Sequence, residues 1–240
     1  MDNRFVEKLS GFGKLTGRDV AALAKATSRQ RRVKAKYDLI REGDRPGPVF
    51  VILDGWACRY KILPSGTRQV LAYLMPGDSC DLHVSLLAQM DHSIQTITPA
   101  TFATIDREEM DKLLDQHPAI ARAIYVAQLV DEGTMRAWIT SMGRRASIER
   151  VAHLMCELYI RARNIGLTSE PSFALPLSQL LLADSLGMTP VHLNRVLREL
   201  RARGAMTLNR GSLVLSDLPK LVQIAGFDDN YLHRRLRTAA

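Results

Sequence analysis

The sequence predicts an α+β protein in which an antiparallel β-domain comes first, a long helix follows, and a mainly helical domain with one short β-hairpin ends the chain. Three observations support this prediction. Glycine-centred turns recur every 11 or 12 residues between positions 43 and 77. A stretch of about 25 residues after Pro118 has a helical pattern and no proline. Residues 178–203 have the pattern of two short helices joined by a sharp turn.

Composition limits the class of protein. Of the 240 residues, 46% are hydrophobic and 24% are charged, which is ordinary for a globular protein. No apolar run approaches the roughly 20 residues that a bilayer-spanning helix needs, and residues 1–10 lack the apolar segment of a signal peptide. Three widely spaced cysteines, Cys58, Cys80 and Cys156, favour a reducing compartment over a disulfide scaffold. We therefore expect a soluble, cytoplasmic protein without a membrane partner.

The formal net charge of +8 is unevenly distributed along the chain. Residues 1–143 contain 19 Lys and Arg against 17 Asp and Glu, whereas residues 144–240 contain 14 against 8. Thirteen of those 14 cations are arginine, whose planar guanidinium suits phosphate groups and guanine edges. The distribution predicts that the C-terminal part of the chain binds nucleic acid.

Short helices separated by a loop are predicted in the first 30 residues. Gly11, Gly13 and Gly17 have some likeness to a dinucleotide-binding fingerprint, but their spacing differs from it. The fingerprint also needs a strand before it, and none is predicted there. We therefore interpret these glycines as part of the loop.

From about residue 33 to residue 105 the apolar pattern has the period of strands. Turn residues at Gly43, Gly55, Gly66 and Gly77 separate runs that favour strand formation. The runs are residues 49–53, 56–63, 69–75, 93–98 and 101–105. Strands at this spacing predict an antiparallel sandwich or barrel of roughly eight strands.

Two helix starts follow the strands. Asp106 and Glu109 have the spacing of a capping box. Pro118 favours a second start, and the helix from residue 119 to residue 142 would be about 37 Å long at 1.5 Å per residue, too long to be buried in either domain. Its heptad register is ambiguous, although apolar residues run along it: Ile124, Leu129, Met135, Trp138, Ile139 and Met142. We interpret it as a two-fold dimer seam; a helix packed only on its own sheet is the alternative.

A hinge is predicted after the long helix. Gly143 and the two arginines that follow it interrupt the helical pattern, and Ser147 begins the next helix. A polar connection runs from residue 164 to residue 176. We place the domain boundaries at 1–116 for the β-domain with its N-terminal helices, 117–143 for the dimerisation helix, and 144–240 for the C-terminal domain.

Residues 178–203 carry the clearest functional motif. Ser178 can cap a first helix that ends near Leu186, and Gly187 lies where the chain must turn sharply. Thr189 can cap a second helix that has Pro190 at its first position. This spacing is typical of a helix-turn-helix.

The second helix of this motif has an apolar stripe and a basic face. The stripe consists of Leu193, Val196, Leu197 and Leu200. The opposite face carries His192, Asn194, Arg195, Arg198 and Arg201. Beyond Gly204, two strand-like runs flank a turn with Arg210 at its tip, which adds a wing to the motif. The sequence therefore predicts a winged helix-turn-helix that binds double-stranded DNA.

The order of these elements resembles the CRP/FNR family of bacterial transcription regulators over nearly the whole chain. The specific marks are residues 41–44, 76–78 and 144–152, together with the helix-turn-helix. The resemblance implies an N-terminal β-roll of the cyclic-nucleotide-binding type that senses an effector, a helix that forms a homodimer, and a winged helix-turn-helix that reads a palindromic operator. It also implies RNA polymerase as a partner.

The resemblance assigns roles on the DNA-binding face. Arg195 matches the family's base-reading arginine, so we expect it to contact a guanine. The family's Arg-Glu pair is replaced here by Pro190 and Val191, which predicts an unusual operator. His192 and Asn194 are the further candidates for reading bases, and Val191 can touch a thymine methyl group. The backbone would be held by Ser178 and Arg210. The candidate DNA-binding residues are Ser178, Thr189, Pro190, Val191, His192, Asn194, Arg195, Arg198 and Arg210.

The expected effector pocket departs from the cyclic-AMP-binding members of the family. Their Gly-Glu-Leu motif is replaced by Cys80, Asp81 and Leu82, and their Arg-Ser pair by His92 and Ser93. Losing that arginine removes a charge-assisted contact with the cyclic phosphate. We therefore expect an unidentified small-molecule effector other than cyclic AMP, or a ligand-independent regulator with a vestigial pocket.

The sequence also departs from the family members that hold an iron–sulfur cluster, and it has candidate ligands for haem or metal. The oxygen-sensing members hold an iron–sulfur cluster with N-terminal cysteines, and residues 1–57 contain none, so no such cluster is expected. Haem-containing members place Cys and His ligands just after the same Gly-Asp element, which makes Cys80, His83 and His92 candidates for haem or metal in a gas or redox sensor. The usual nucleophile elbow, phosphate-binding loop and zinc-protease helix are absent from the sequence, so no enzyme is predicted.

Overall fold

The computed structural model describes residues 3–80, 87–169, 171–209 and 211–233. It confirms the predicted α+β class. The chain forms two compact units, an N-terminal unit (Met1–Leu129) and a C-terminal unit (Val130–Ala240). Within the described ranges, no helix combines the length and the apolar character that crossing a membrane would require.

The N-terminal unit is a roll of two antiparallel sheets with helices at both ends of its sequence. Helices α1 (Arg4–Ser10) and α2 (Gly17–Ala26) come first, with the predicted loop between them. The described strands are β1 (Gln30–Val33), β2 (Asp38–Ile40), β3 (Val49–Asp54), β4 (Ala57–Ile62), β5 (Arg68–Leu74), β6 (Ser79–Cys80), β7 (Ser93–Thr96) and β8 (Ala100–Ile105). Their order is β1-β8-β3-β6 in one sheet and β2-β7-β4-β5 in the other. Helices α3 (Arg107–Gln116) and α4 (Pro118–Arg144) follow.

Alternation along β3 and β8 builds two apolar cores on opposite faces of one sheet. Val51 and Ile105 pack in a cluster with residues of α1 and with Ile120 of α4. Ile52 and Phe102 instead pack in the interior of the roll. Successive side chains of a strand point to opposite faces, so a buried strand supplies both cores. The predicted turn glycines all have positive φ: Gly43, Gly55, Gly66 and Gly77.

The start of α3 corrects one detail of the sequence analysis. Asp106 precedes the helix as predicted, but its side chain makes no capping hydrogen bond. Both acidic groups instead pair with Arg29, at 2.8 Å from Asp106 and 2.9 Å from Glu109. The capping-box prediction is wrong because a guanidinium from a distant part of the sequence binds both carboxylates.

A buried carboxylate joins α2 to the junction between α3 and α4. The two oxygens of Asp19 accept from Thr16, in the capping box of α2, and from His117 Nδ1 at 2.7 Å. These hydrogen bonds, first that of Thr16 and then that of His117, lower the pKa of Asp19 to about 2. The pair fixes α2 against the end of the roll.

The C-terminal unit contains the rest of α4, then α5 (Ser147–Asn164), α6 (Gln179–Leu186), α7 (Pro190–Ala202) and α8 (Leu218–Ala225). Its strands are β9 (Thr168–Ser169), β10 (Ser172–Ala174), β11 (Thr207–Asn209) and β12 (Ser212–Val214), in the order β11-β12-β10-β9. The polar connection predicted near residues 164–176 thus contains two strands. Such short strands leave little periodic pattern; β10 pairs with β12, with Phe173 opposite Leu213, and β9 pairs with β10.

The predicted hinge lies slightly later than expected. Helix α4 continues through Gly143 and ends at Arg144, so the interruption before α5 comprises only two residues, Arg145 and Ala146. Gly133 lies within α4 for a packing reason, since a Cβ atom there would be 2.7 Å from the carbonyl oxygen of Tyr231. The part of α4 that belongs to the C-terminal unit therefore packs closely against the segment that contains Tyr231.

Candidate nucleic-acid interface

The helix-turn-helix is built by local capping. Ser178 Oγ accepts from the backbone N–H of Leu181 at 3.2 Å, and Thr189 Oγ1 accepts from that of His192 at 3.2 Å. Gly187 between the helices has φ of 60°, a conformation that residues with a side chain rarely adopt. These bounds confirm the helices predicted from the sequence. Pro190 begins α7, where no intrahelical donor is lost.

Helix α7 separates an apolar face from an exposed one. Leu193, Val196 and Leu200 are buried, and Leu197 is half-buried. On the other side Arg195, Arg198 and Arg201 are exposed, and His192 and Asn194 are half-buried. Val191 is 79% exposed, although apolar side chains of its size are usually covered. The helix thus presents arginines and one apolar side chain to the solvent.

Polar contacts link this exposed face to its surroundings. Arg201 donates to Asn209 Oδ1 of β11 at 3.2 Å, which joins α7 to the wing. His192 contacts Arg195 and Ser147, so both of its ring nitrogens are engaged. The predicted wing hairpin is present as β11 and β12, whereas Arg210 at its tip lies outside the described residues.

Arg150 of α5, which the sequence analysis did not single out, joins the ends of two helices. Its guanidinium donates to Leu186 O at the end of α6 (2.8 Å) and to Met142 O (3.2 Å) and Arg145 O (3.4 Å) near the end of α4. Carbonyl groups at a helix C-terminus lack intrahelical donors and carry partial negative charge, which suits a cation. Arg150 therefore holds the first helix of the DNA-binding motif against the end of α4.

The expected effector residues near β6 lie only partly within the described part of the chain. Cys80 on β6 is buried in the apolar interior of the roll with Ile52 and Phe102. Asp81, Leu82 and His83 lie outside the described residues. In the part of the chain that the structure describes, no three side chains of the metal-binding types gather into a site.

His92 and Ser93 take part in hydrogen bonds within the roll. Arg59 Nε donates to His92 Nε2 at 3.2 Å, so the neutral ring carries its proton on Nδ1, which donates to Asp91 at 2.7 Å. This bond lowers the pKa of Asp91. Ser93 Oγ accepts from the backbone N–H of Glu42 at 3.0 Å. Both ring nitrogens of His92 are therefore engaged by protein groups in this arrangement.

Known protein families match the two units of the chain in the order in which the structure has them. A model of the Crp-like helix-turn-helix domain matches residues 149–224, and one of the cyclic nucleotide-binding domain matches residues 30–117. Nitrogen fixation regulation protein FixK of Bradyrhizobium diazoefficiens is 26% identical over 210 residues, covering 86% of this chain and 87% of FixK. Transcriptional activator protein anr of Pseudomonas aeruginosa is 23% identical over 212 residues, covering 88% and 86%.

The fold has a similar counterpart among solved structures. FixK2 from Bradyrhizobium japonicum aligns with a TM-score of 0.73 and 22% identity, over 81% of this chain and 96% of that chain. The Crp-like domain model and the two relatives described as a regulation protein and a transcriptional activator agree on the class of protein. The chain therefore belongs to the CRP/FNR family of transcriptional regulators and combines a sensing domain of the cyclic-nucleotide-binding type with a DNA-binding helix-turn-helix.

Proposed function

We propose that two copies of this chain form a homodimer that regulates transcription from a palindromic operator, with α7 in the major groove of the DNA. The exposed basic face of α7 beside the β11–β12 wing carries this proposal. A two-fold protein matches a palindrome because each subunit meets an equivalent half-site. RNA polymerase is the further partner that regulation of transcription implies.

Within this interface the residues divide by the part of the DNA they contact. Arg195 reads a guanine edge, Asn194 and Val191 contact neighbouring bases, and Arg198 approaches the backbone. Ser178 caps α6, whose first-turn N–H groups and positive dipole end suit a phosphate, and Arg210 contacts the backbone from the wing. Thr189, Pro190 and His192 complete the contact region at the start of α7.

The dimer is proposed to form along α4. Met135 and Ile139 are exposed apolar residues on this helix, and Ile139 is 72% exposed. Nearer the start of the same helix, Tyr125 and Leu129 are exposed as well. Apolar residues that recur along one helix face favour a helical partner. We assign functional segments 1–116, 117–143 and 144–240, in which the middle segment crosses the boundary between the two compact units.

For the sensing domain we propose an effector other than a cyclic nucleotide. The engagement of His92 supports this choice, because both of its ring nitrogens already bind protein groups, Nε2 to Arg59 and Nδ1 to Asp91. The same observation favours a second candidate, a ligand-independent regulator whose pocket is closed by its own side chains.

The base-reading role of Arg195 gives the direct test of the DNA-binding proposal. Replacing Arg195 by alanine should weaken binding to the preferred duplex by about 1–3 kcal/mol and leave binding to a scrambled duplex nearly unchanged. The preferred duplex is obtained by selection from a random-sequence pool. Fluorescence anisotropy across a salt series measures both affinities.

Two variants serve as comparisons in this experiment. Arg203→Ala removes an exposed arginine that pairs with Glu199 beyond the reading face, and should leave the ratio of the two affinities unchanged. Arg210→Ala should weaken both duplexes alike and reduce the salt slope by about 1. Equal losses on both duplexes for Arg195→Ala would exclude it as a base reader.

Cyclic AMP is expected to bind more weakly than about 10 µM, which corresponds to about −7 kcal/mol. The reason is that His92 replaces the arginine of the cyclic-AMP-binding members and is itself bound to Arg59 and Asp91. Isothermal titration calorimetry measures this directly. Tighter binding would contradict the prediction, and a Soret band with stoichiometric iron in the purified protein would instead support a haem sensor.

A further inference from the structure

A chain of hydrogen bonds leads from the start of α5 to the base-reading arginine. Arg195 Nη2 lies 2.7 Å from His192 Nδ1, and His192 Nε2 lies 2.7 Å from Ser147 Oγ. Ser147 is the first residue of α5, whereas His192 and Arg195 are three residues apart on α7. Residues three apart on a helix lie on the same side, which allows His192 to contact Arg195. Its contact with Ser147 makes the imidazole a bridge between the two helices.

The chemistry of the donors fixes the direction of this chain. A guanidinium has only N–H donors, so His192 Nδ1 must accept the hydrogen bond from Arg195. The neutral imidazole then carries its proton on Nε2, which donates to Ser147 Oγ. Ser147 thereby fixes both the orientation of the ring and the tautomer that Arg195 requires.

Neither residue is needed to cap its helix by its side chain. The N-terminus of α5 is capped by Glu149, whose carboxylate accepts from the backbone N–H of Ala146 at 2.9 Å. The N-terminus of α7 is capped by the hydroxyl group of Thr189. The hydroxyl of Ser147 and the ring of His192 are therefore available for a role outside capping.

We propose that Ser147 and His192 are positioning residues that hold the Arg195 guanidinium toward the DNA. An exposed arginine loses rotamer freedom when it binds a base, and a fixed acceptor next to it limits that freedom beforehand. His192 thus acts through Arg195 instead of reading a base itself. This inference rests on the proposed base-reading role of Arg195.

The position of Ser147 makes base reading sensitive to the α4–α5 junction. Ser147 follows the two-residue interruption after α4, and Arg150 of the same helix donates to Met142 O before that interruption and to Arg145 O within it. A displacement of the first turn of α5 would move the hydroxyl that orients His192. The orientation of Arg195 is thereby tied to the geometry of the junction.

Double-mutant analysis on the full-length protein tests the proposal. Ser147→Ala should reduce the ratio of affinities for the selected and scrambled duplexes by about 3- to 10-fold. Only the affinity for the selected duplex should decrease. In the Arg195→Ala background the same substitution should change the ratio less than about twofold, because the group that it positions is gone. Ser147→Thr keeps the hydroxyl group and should keep the ratio.

Substitutions of the bridging residue provide a second measurement. His192→Asn keeps an acceptor near the position of Nδ1, and His192→Gln keeps a donor near Nε2, so each preserves one half of the bridge. Both should lower the ratio about as much as Ser147→Ala does. Thermal unfolding of every variant confirms that each compared protein is folded.

The possible results distinguish the positioning role of Ser147 from the base-reading role of Arg195. Equal effects of Ser147→Ala in the presence and absence of Arg195 would overturn the positioning role, as would equal losses on both duplexes. Loss of the ratio in Ser147→Thr would count against it as well. If Arg195→Ala weakens binding to both duplexes equally, the base-reading role of Arg195 is refuted. The single variant alone shows this, without the double mutant.

Discussion

Replacing Glu157 by leucine should lower the free energy of unfolding of the C-terminal unit by about 3–5 kcal/mol. The Glu157 carboxylate on α5 is completely buried. It accepts from Trp138 Nε1 of α4 at 3.0 and 3.2 Å, from the Tyr231 hydroxyl at 2.9 Å, and from Arg161 at 3.5 Å. One side chain is thus the shared acceptor for donors from three parts of the unit.

The loss is expected to be large because leucine removes that acceptor and leaves the donors in an apolar interior. Leaving a buried donor without an acceptor costs its full desolvation penalty. That penalty is larger than the net stabilisation that one hydrogen bond provides. Glu157→Gln is the matched control, since its amide oxygen keeps part of the acceptor function at nearly the same volume. It should cost clearly less than leucine does.

The pH dependence of this group has a defined sign. Burial raises the pKa of the Glu157 carboxyl, and the neighbouring Arg161 opposes that shift. Because the folded pKa is above the unfolded one, the contribution of this group to stability is fully present below the ordinary glutamate pKa. It decreases as the pH rises through the raised folded value. Glu157→Gln should remove this component.

Urea unfolding monitored by tryptophan fluorescence at several pH values measures these changes. Trp138 lies next to the substituted site, whereas Trp56 belongs to the N-terminal unit, so single-tryptophan versions separate the two signals. A loss below about 1 kcal/mol for Glu157→Leu would show that the buried network contributes little.

Local patterns explain which features the sequence predicted well. The caps at Ser178 and Thr189 and the turn at Gly187 depend on residues within a few positions of one another, so their spacing alone was sufficient. The turn glycines of the β-roll were predictable for the same reason.

Features that depend on distant residues were not predictable from one sequence. Arg29 replaces the expected cap at Asp106, although the two are far apart in the chain. Arg59 reaches His92 across two paired strands, and Ser147 reaches His192 from another helix. No periodicity or spacing records such pairs, and only the folded arrangement brings them together.

A double substitution of Met135 and Ile139 by glutamate should dissociate the proposed dimer. Burial separates two faces of α4 in the C-terminal unit: Trp138 and Ser141 are buried, whereas Met135, Ile139 and Met142 are exposed. The three exposed residues occupy alternating d and a positions of one heptad register, which suits a coiled-coil seam. That register was ambiguous in the sequence because polar residues interrupt every choice.

The expected effect on association is large. Two glutamates on each helix place like charges opposite one another across a two-fold seam, and such juxtaposition costs several kcal/mol. A cost of about 3 kcal/mol already weakens dimerisation by roughly 10²-fold. Binding to a palindromic duplex should fall as well, because each half-site would then be bound by a separate subunit.

Analytical ultracentrifugation at micromolar concentration without DNA, followed by binding to palindromic and single half-site duplexes, measures both consequences. Thr140→Glu is the matched control, because residue 140 is exposed on the same helix but lies beside the stripe. It should keep the mass of two chains. The double variant should have the mass of one chain and should lose affinity for the palindrome while binding the half-site as the wild type does. A wild-type mass of one chain would refute the dimer, and equal damage by Thr140→Glu would show that the stripe is not the seam.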